Sequence, residues 1–238
     1  MPAEQAIKDF FTGLGASVAG IAPVECFGSA PKGFHPRDLF AACRAVIVFG
    51  IAMPRALMET ERRIVYLKAM QECLAELDRM SFLAGVWLER HGAEAMPLPS
   101  DSPCEYWDAD TATVKGVLSM KHAGELAGLG RIGRNTLLNN ARFGNRLMLG
   151  CVLTDMPLRG DPPAAGACPP DCRICLDNCP QHALDGTTLK QQLCRKLIYG
   201  VDKRGQGVNN CNLCRTGCPQ ARRRPPVRER SAFADDAV

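Results

Sequence analysis

Residues 168–180 read CPPDCRICLDNCP, and this short stretch carries four thiols and ends in a cysteine–proline pair. A second stretch, residues 211–219, reads CNLCRTGCP and has the same ending, with a lone Cys194 between the two. Eight of the 13 cysteines of the chain therefore lie in its last third. Cysteines clustered at such spacings in a chain without a secretion signal indicate metal ligation.

The pattern Cys172-x2-Cys175-x3-Cys179-Pro180 is typical of bacterial ferredoxin-type loops. In those loops three cysteines bind one [4Fe–4S] cluster, and the cysteine before the proline binds the other cluster. Applying this exchange to both stretches divides the eight thiols into two sets of four. The first set is Cys168, Cys172, Cys175 and Cys218, and the second is Cys179, Cys194, Cys211 and Cys214. The sequence thus predicts two [4Fe–4S] clusters and a role in electron transfer.

Zinc ligation and disulfide bonding also cluster cysteines in proteins. Structural zinc sites use paired Cys-x2-Cys ligands, but two cysteine–proline endings are unusual for zinc. A disulfide framework requires an oxidising compartment, and residues 1–10 contain Glu4, Lys8 and Asp9 and lack the apolar core of a signal peptide. We therefore expect a cytoplasmic iron–sulfur protein.

The bulk composition agrees with a globular protein of one or two domains. The chain has 238 residues, of which 46% are apolar, and a formal net charge of +4. It contains no run of about 18 apolar residues, so no membrane span is expected. Five arginines near the C-terminus form a basic cluster that could contact a phosphate-bearing ligand, although a solvated terminus is the favoured interpretation. They are Arg222, Arg223, Arg224, Arg228 and Arg230.

Apolar periodicity predicts alternating helices and strands before the cysteine-rich region. Strands are expected over residues 17–22, 45–52, 93–97 and 147–154, and helices near residues 6–14, 60–90 and 121–129. Residues 45–52, AVIVFGIA, predict a strand that is buried on both faces. We predict an α/β (α+β) layer domain over residues 1–158, a linker near 159–166, a two-cluster module over 166–220 and a basic tail over 221–238.

A glycine-rich segment follows the third predicted helix. Gly128, Gly130 and Gly133 permit unusual backbone angles or close approach of the backbone to a ligand. A helix end followed by a turn would account for the same glycines. Their spacing also matches a dinucleotide-binding pattern, but no clear strand precedes it.

The segment Leu126–Leu138, LAGLGRIGRNTLL, together with residues 149–155 and the two cysteine stretches, resembles the epoxyqueuosine reductase family. That resemblance implies a corrinoid domain similar to those of reductive dehalogenases and flavin-type nitroreductases, followed by a ferredoxin-like module. It implies cobalamin beside two [4Fe–4S] clusters, which pass single electrons from a donor of the flavodoxin or ferredoxin type. It also implies that the loop with Gly128, Gly130, Gly133, Arg134 and Asn135 lies close to the corrinoid. His122, beside Lys121, is a candidate acid or corrinoid contact, although a histidine with an ordinary hydrogen bond at a helix start is the favoured interpretation.

The chain departs from the family pattern at one position. The family carries an acidic residue about thirteen positions before the AGLG segment, where this chain has Val114 in the sequence Thr113-Val114-Lys115-Gly116. Asp108 and Asp110 are nearby but out of register. Opening an epoxide requires a proton donor near the developing alkoxide. We therefore predict weak or no turnover of epoxyqueuosine-containing tRNA, do not count tRNA among the expected partners, and leave the catalytic residues and substrate open.

A second functional hypothesis follows from the missing acid. The protein could be a non-catalytic electron carrier, or a reactivator of a partner that holds the corrinoid. Among the remaining cysteines, Cys43, Cys73 and Cys151 lie in apolar contexts and are expected to be buried. Cys104 lies in a polar segment and is the candidate for reactivity.

Overall fold

The structure is a computed structural model that describes residues 2–166 and 168–222. Its seven α-helices are α1 (Glu4–Gly13), α2 (Pro36–Leu39), α3 (Arg63–Arg90), α4 (Met120–Leu126), α5 (Ile174–Asp177), α6 (Gln191–Ile198) and α7 (Leu213–Thr216). Its first five strands are β1 (Val18–Pro23), β2 (Ala45–Ala52), β3 (Ala95–Leu98), β4 (Tyr106–Asp108) and β5 (Thr113–Lys115). The other five are β6 (Arg131–Ile132), β7 (Leu138–Asn139), β8 (Leu147–Thr154), β9 (Tyr199–Val201) and β10 (Gly207–Asn209). The described residues also form three short 3₁₀ helices, at Val24–Phe27, Arg55–Met58 and Pro219–Arg222.

A four-stranded sheet organises the first two thirds of the chain. Its strand order is β1-β2-β8-β3, and every neighbouring pair is antiparallel. The two long central strands pair along their whole lengths, from Ala45 opposite Thr154 to Ala52 opposite Leu147. The bounds predicted for both central strands, residues 45–52 and 147–154, are confirmed.

Successive side chains of β2 alternate between two separate hydrophobic cores. Ile47 and Phe49 point into a core shared with α1 and α3, where the ring of Phe49 stacks on that of Phe11 at 4.3 Å between centroids. Val46 and Val48 point into the opposite core, which is shared with α4. Because successive residues of a strand face opposite sides, covering both sides requires an unbroken apolar run. The strand buried on both faces, predicted from this run, is confirmed.

Helix α3 is continuous from Arg63 to Arg90, through Gly85. Gly85 faces the ring of Pro97 in β3, and a Cβ placed on it would lie 3.4 Å from that ring. The glycine therefore brings the helix close to the sheet without ending the helix. Gly92, with φ of +80°, follows the helix as expected for a C-terminal glycine.

The cysteine-rich region packs onto the layered domain. The thiol of Cys218 and the side chain of Ala221 belong to the same core as α1 and α3. Ala221, which the predicted tail included, is fully buried, so the packed part of the chain extends past residue 220. Of the predicted tail, residues 223–238 lie outside the described residues.

Three two-stranded pairs were not predicted, namely β4–β5, β6–β7 and β9–β10. Their strands are only two or three residues long, which is too short to show the apolar alternation from which a strand is predicted. None of the helices in the described residues combines the length and apolar character that crossing a membrane requires.

Gly144 is the point where the domain touches the C-terminal segment, and it gives a test of the packing. Its φ is +59°, and an added Cβ would lie 1.9 Å from the carbonyl oxygen of Gln220. We expect Gly144→Ala to lower the free energy of unfolding by about 2 kcal/mol or more, because it combines backbone strain with a clash against backbone.

Gly13→Ala is the matched control. No atom lies within 4 Å of a Cβ placed on Gly13 at the end of α1, so alanine there should be neutral or slightly stabilising. Anaerobic urea unfolding followed by circular dichroism would measure both variants. Equal midpoints for the two variants would contradict the close packing at Gly144.

Candidate functional site: two thiol groups beside a cavity

The first group of thiols consists of Cys168, Cys172, Cys175 and Cys218. Burial raises the pKa of Cys175, and the charges of the other three thiols raise it further. Burial likewise raises the pKa of Cys218, to which Cys168 and Cys172 add. Such mutual effects require the sulfur atoms to be close together. The structure therefore brings together the four cysteines that the exchange of pre-proline cysteines assigns to one cluster.

The second group consists of Cys179, Cys194, Cys211 and Cys214. Burial raises the pKa of Cys214 to about 11, and the charges of the other three thiols act in the same direction. Burial also raises the pKa of Cys194, with Cys211 and Cys179 adding to it. Cys179 lies close to Cys175 in sequence but in the other group in space. Its ligation of the second cluster stays a prediction, and the grouping in space agrees with it.

The chemistry of these groups fits iron–sulfur clusters. A backbone N–H of Ala183 donates to the sulfur of Cys179 at 3.3 Å, and N–H groups of Gln220 and Ala221 interact with the sulfur of Cys218. Hydrogen bonds to sulfur are a usual feature of such clusters. Among the described residues, no three cysteine, histidine or acidic side chains converge tightly enough to hold a single metal ion. Four thiolates around an iron–sulfur core stand farther apart than the ligands of one zinc ion.

Arg134 and Asn135, two of the residues predicted to lie near the corrinoid, hold the cysteine-rich loops. The side-chain amide of Asn135 donates to the carbonyl oxygen of Cys214 at 2.9 Å, and Asn135 is only 3% exposed. The guanidinium of Arg134 donates to the carbonyl oxygen of Pro170, inside the first cysteine stretch. Neither residue lines the cavity described below. The two side chains therefore contact the loops that carry both thiol groups, and their contact with a corrinoid stays a prediction.

Asn145 supports the same interface and was not predicted. Its amide nitrogen donates to the carbonyl oxygen of Arg215 at 3.3 Å, and the Arg215 guanidinium donates to the carbonyl oxygen of Asn145 at 2.5 Å. The reciprocal pair links the residue after Cys214 to the loop before β8. A buried asparagine with no apolar periodicity around it gave no signal in the sequence.

The glycine-rich segment packs against the chain itself. A Cβ on Gly128 would lie 2.4 Å from the carbonyl oxygen of Pro162, and one on Gly130 would lie 2.3 Å from that of Asn139. At Gly133 the obstacle is the Asn139 side-chain nitrogen at 2.2 Å. These approaches explain the three glycines without a ligand at their Cα atoms, unlike the expectation of a ligand-binding backbone. Contact of other atoms of the loop with a corrinoid stays a prediction.

A cavity of about 550 Å³ lies between the layered domain and the cluster module. Phe27, Phe34, Leu118 and Leu126 supply apolar walls, and Gln191, at the start of α6, closes one side. Cys194 lies in the same helix as Gln191, so the cavity adjoins the second thiol group. The volume and lining are typical of a small-molecule site. A redox group bound here would be next to a source of electrons.

His122, the remaining predicted contact, lines this cavity. Its Nδ1 lies 2.7 Å from the hydroxyl oxygen of Ser119, one turn earlier. Partial burial, and then the charge of Lys121, lower the pKa of His122, while Glu125 opposes them. The lowered pKa favours a neutral ring near pH 7, which can accept or donate one hydrogen bond at each nitrogen.

The position where the family carries an acid is fixed by the cluster module. The backbone N–H of Val114 donates to the side-chain oxygen of Gln191 at 2.9 Å, and the Gln191 amide donates to the Val114 carbonyl oxygen at 3.0 Å. Asp108 does not replace the acid, because its carboxylate accepts the backbone N–H groups of Asp110 and Thr111 in its own turn. Among the described residues, no Asp or Glu lines the cavity.

The five cysteines outside the two groups include three in the cores of the layered domain. Cys43, Cys73 and Cys151 are buried as expected, and burial raises the pKa of both Cys43 and Cys73 to about 11. These three thiols are therefore protonated and unreactive at neutral pH. Cys104 is partly exposed in the segment before β4.

Comparison with known proteins identifies the relatives of this chain. No family model matches it. The epoxyqueuosine reductase of Staphylococcus aureus is 37% identical over 117 residues, covering 45% of this chain and 30% of that protein. The enzyme of Bacillus anthracis is 26% identical over 208 residues, covering 79% of this chain and 51% of that protein. The chain is therefore similar to epoxyqueuosine reductases over part of its length. It spans about a third to a half of the length of these relatives.

Solved structures agree on the fold. An epoxyqueuosine reductase in complex with a modified tRNA-Tyr stem loop has a TM-score of 0.63, 17% identity, and covers 94% of this chain and 66% of that one. A reductive dehalogenase described as B12-dependent has a TM-score of 0.70, 19% identity, and covers 92% of this chain and 32% of that one. The mixed fold of the corrinoid-domain type, expected from the sequence, is thereby confirmed.

The grouping of the thiols gives a test of ligand exchange between the clusters. We expect Cys218→Ser and Cys172→Ser to change the same electron paramagnetic resonance signal of the reduced protein, and Cys211→Ser to change the other signal. Iron content should fall by about half in each variant, since each has lost one ligand of one four-iron cluster.

Cys26→Ser, at an exposed cysteine outside both groups, is the control and should keep its full iron content. If Cys218→Ser changed the signal that Cys211→Ser changes, the exchange would be wrong, and each cysteine stretch would serve its own cluster.

Proposed function

We propose that this protein is an oxidoreductase that passes single electrons through two [4Fe–4S] clusters to a corrinoid held in the cavity. The observation that carries the proposal is the position of the cavity, which the helix of Cys194 closes through Gln191. The similarity of the chain to epoxyqueuosine reductases supports a reductive redox role. The thiol groups supply the electron path, and the cavity supplies the place for chemistry.

Each cluster would be held by one thiol group. Iron–sulfur clusters accept and release one electron at a time, and burial and hydrogen bonds to sulfur tune their potentials. Cys175 and Cys218 are buried in the first group, whereas all four thiols of the second are partly exposed. We infer that the second cluster is nearer to the cavity, because Cys194 is on the helix that closes it. A donor of the flavodoxin or ferredoxin type would supply the electrons.

The walls of the cavity would hold the corrinoid. When bound and reduced, a corrinoid supplies a nucleophilic metal centre for reductive chemistry. Leu118 and Leu126 would cover its apolar surface, and His122 offers a ring nitrogen at the edge. Ser119 orients that ring through its hydroxyl group. The Gln191–Val114 pair keeps the β4–β5 hairpin against α6 and so limits access of water.

A tRNA is a candidate substrate. One solved epoxyqueuosine reductase contains an epoxyqueuosine-modified tRNA stem loop, which makes tRNA a more reasonable partner than the sequence suggested. Exposed aromatic residues next to the cavity agree with such a partner, since Trp107 and Tyr199 flank the guanidinium of Arg195 at 5.4 and 5.2 Å. The lack of an acid at Val114 still predicts weak turnover of the epoxide.

An anaerobic titration with cobalamin tests the proposal directly. The cluster-reconstituted protein should change the visible spectrum of cobalamin in a saturable manner. Leu126→Trp, which fills the cavity wall, should weaken this binding at least tenfold, because it occupies the space for the ligand. Phe82→Trp, at an exposed residue of α3 away from the cavity, is the control. A spectrum that does not change would support a ferredoxin-like electron carrier or a reactivator of a corrinoid protein.

Assay of epoxyqueuosine-containing tRNA tests the missing acid. We expect the wild-type protein to show weak or no turnover, and Val114→Asp to raise it, because a carboxyl group then stands where the family carries one. Val114→Asn has the same shape without the acidic proton and should not raise turnover. Rapid turnover by the wild-type protein would contradict the role assigned to this position.

A further inference from the structure

A single lysine is the charged group of the cavity wall that has no acidic partner. Lys115 follows Val114 in β5 and lines the cavity together with the neutral ring of His122. Among the ion pairs of the described residues, none includes Lys115. A cavity with one uncompensated cation and no carboxylate has a positive potential, which attracts an anionic group.

Aromatic rings hold the ammonium group of Lys115 in place. Its nitrogen lies 5.0 Å from the ring centroid of Tyr106 and 5.5 Å from that of Phe34. Both distances are within the range of cation–π contacts, which favour the charged form without neutralising it as a carboxylate would. Tyr106 is the cross-strand partner of Lys115 in the hairpin.

The backbone beneath Lys115 is also fixed. Gln191 binds both the N–H and the carbonyl oxygen of the preceding residue, Val114. Lys115 is exposed, but its backbone is fixed next to Val114 and two rings flank its ammonium group, so it loses less freedom on binding a ligand than a lysine without such contacts. This lowers the entropic cost of forming an ion pair, which is usually high for a flexible lysine.

The apolar residues of the cavity wall indicate that the ligand also has an apolar body. Phe27 is an almost fully buried side chain of the wall, and Phe34, whose ring lies 5.5 Å from the ammonium nitrogen of Lys115, and Pro31 continue the apolar surface. We propose that the part of the cavity lined by Phe27, Phe34 and Lys115 binds a small organic anion, such as a carboxylate with an apolar body, whose negative group pairs with Lys115. The inference rests on the proposed function, because this ligand would be the substrate presented to the corrinoid.

Binding of para-fluorobenzoate, followed by fluorine nuclear magnetic resonance on the cluster-loaded protein without corrinoid, tests the proposal. Its neutral analogue para-fluorobenzamide has the same body and no charge, and inorganic phosphate has the charge without the body. We expect the benzoate to bind at least about tenfold more tightly than the benzamide, as for a charge-assisted hydrogen bond. Phosphate at equal concentration should not displace it.

Substitutions locate the site. Lys115→Met, which keeps the apolar stem, should abolish the preference for benzoate, and Lys115→Arg should retain it. Lys196→Met, at an exposed lysine of α6 outside the cavity, should leave binding unchanged. Equal binding of benzoate and benzamide, unchanged preference in Lys115→Met, or no binding of either probe would overturn the proposal.

The corrinoid itself carries a phosphate that could use the same lysine. In that case Lys115→Met would weaken binding of cobalamin but not of cobinamide, which lacks the phosphate, and that result would overturn a substrate role for Lys115. Failure of the proposed function gives a different result, since a protein that binds neither corrinoid could still prefer benzoate. The two conclusions can therefore fail separately.

Discussion

Repulsion among thiolates is the constraint on which the C-terminal third of this protein depends. Within each group of four, every sulfur would raise the pKa of its neighbours once charged, so the groups cannot ionise together without a compensating cation. The region has little else to stabilise it, since its own core consists of Cys175, Leu176 and Leu184. A module with so few buried apolar residues needs either a metal or a larger neighbour to fold. This protein offers both, because the module also packs onto the layered domain.

The central strands could be predicted because they rest on a local rule. Alternating burial demands an unbroken apolar run at Ala45–Ala52, and the chain has one. The division of the cysteines rests on a second local rule, the spacing of cluster loops, and their ligation of clusters stays a prediction. Both rules operate over a few residues, so the sequence alone is sufficient to apply them. The pairing of Cys218 with Cys168 is long-range but follows from the symmetry of the two stretches.

The surroundings of the site could not be predicted, because they depend on contacts between distant segments. The spacing of Gly128 and Gly130 suggested a ligand, whereas Pro162 and Asn139 are what these glycines approach. Conversely, no motif or apolar periodicity in the sequence marks Gln191 or Lys115. Their importance comes from the contact between the β4–β5 hairpin and α6, where Val114 and Gln191 lie 77 positions apart in the chain and are hydrogen-bonded to each other. These residues could not be identified from the sequence because their role depends on a contact between distant positions of the chain.

The placement of Cys218 in both a thiol group and the main core has a consequence for how the protein is made. With the proposed assignment, each cluster would take its last ligand from the other loop, while Cys218 and Ala221 complete the packing around α3. A ribosome would then have to release the chain through Cys218 before the first cluster could close, so iron would have to be delivered after both cysteine stretches have emerged. Loss of Cys218 would remove both a cluster ligand and a contact of the domain core.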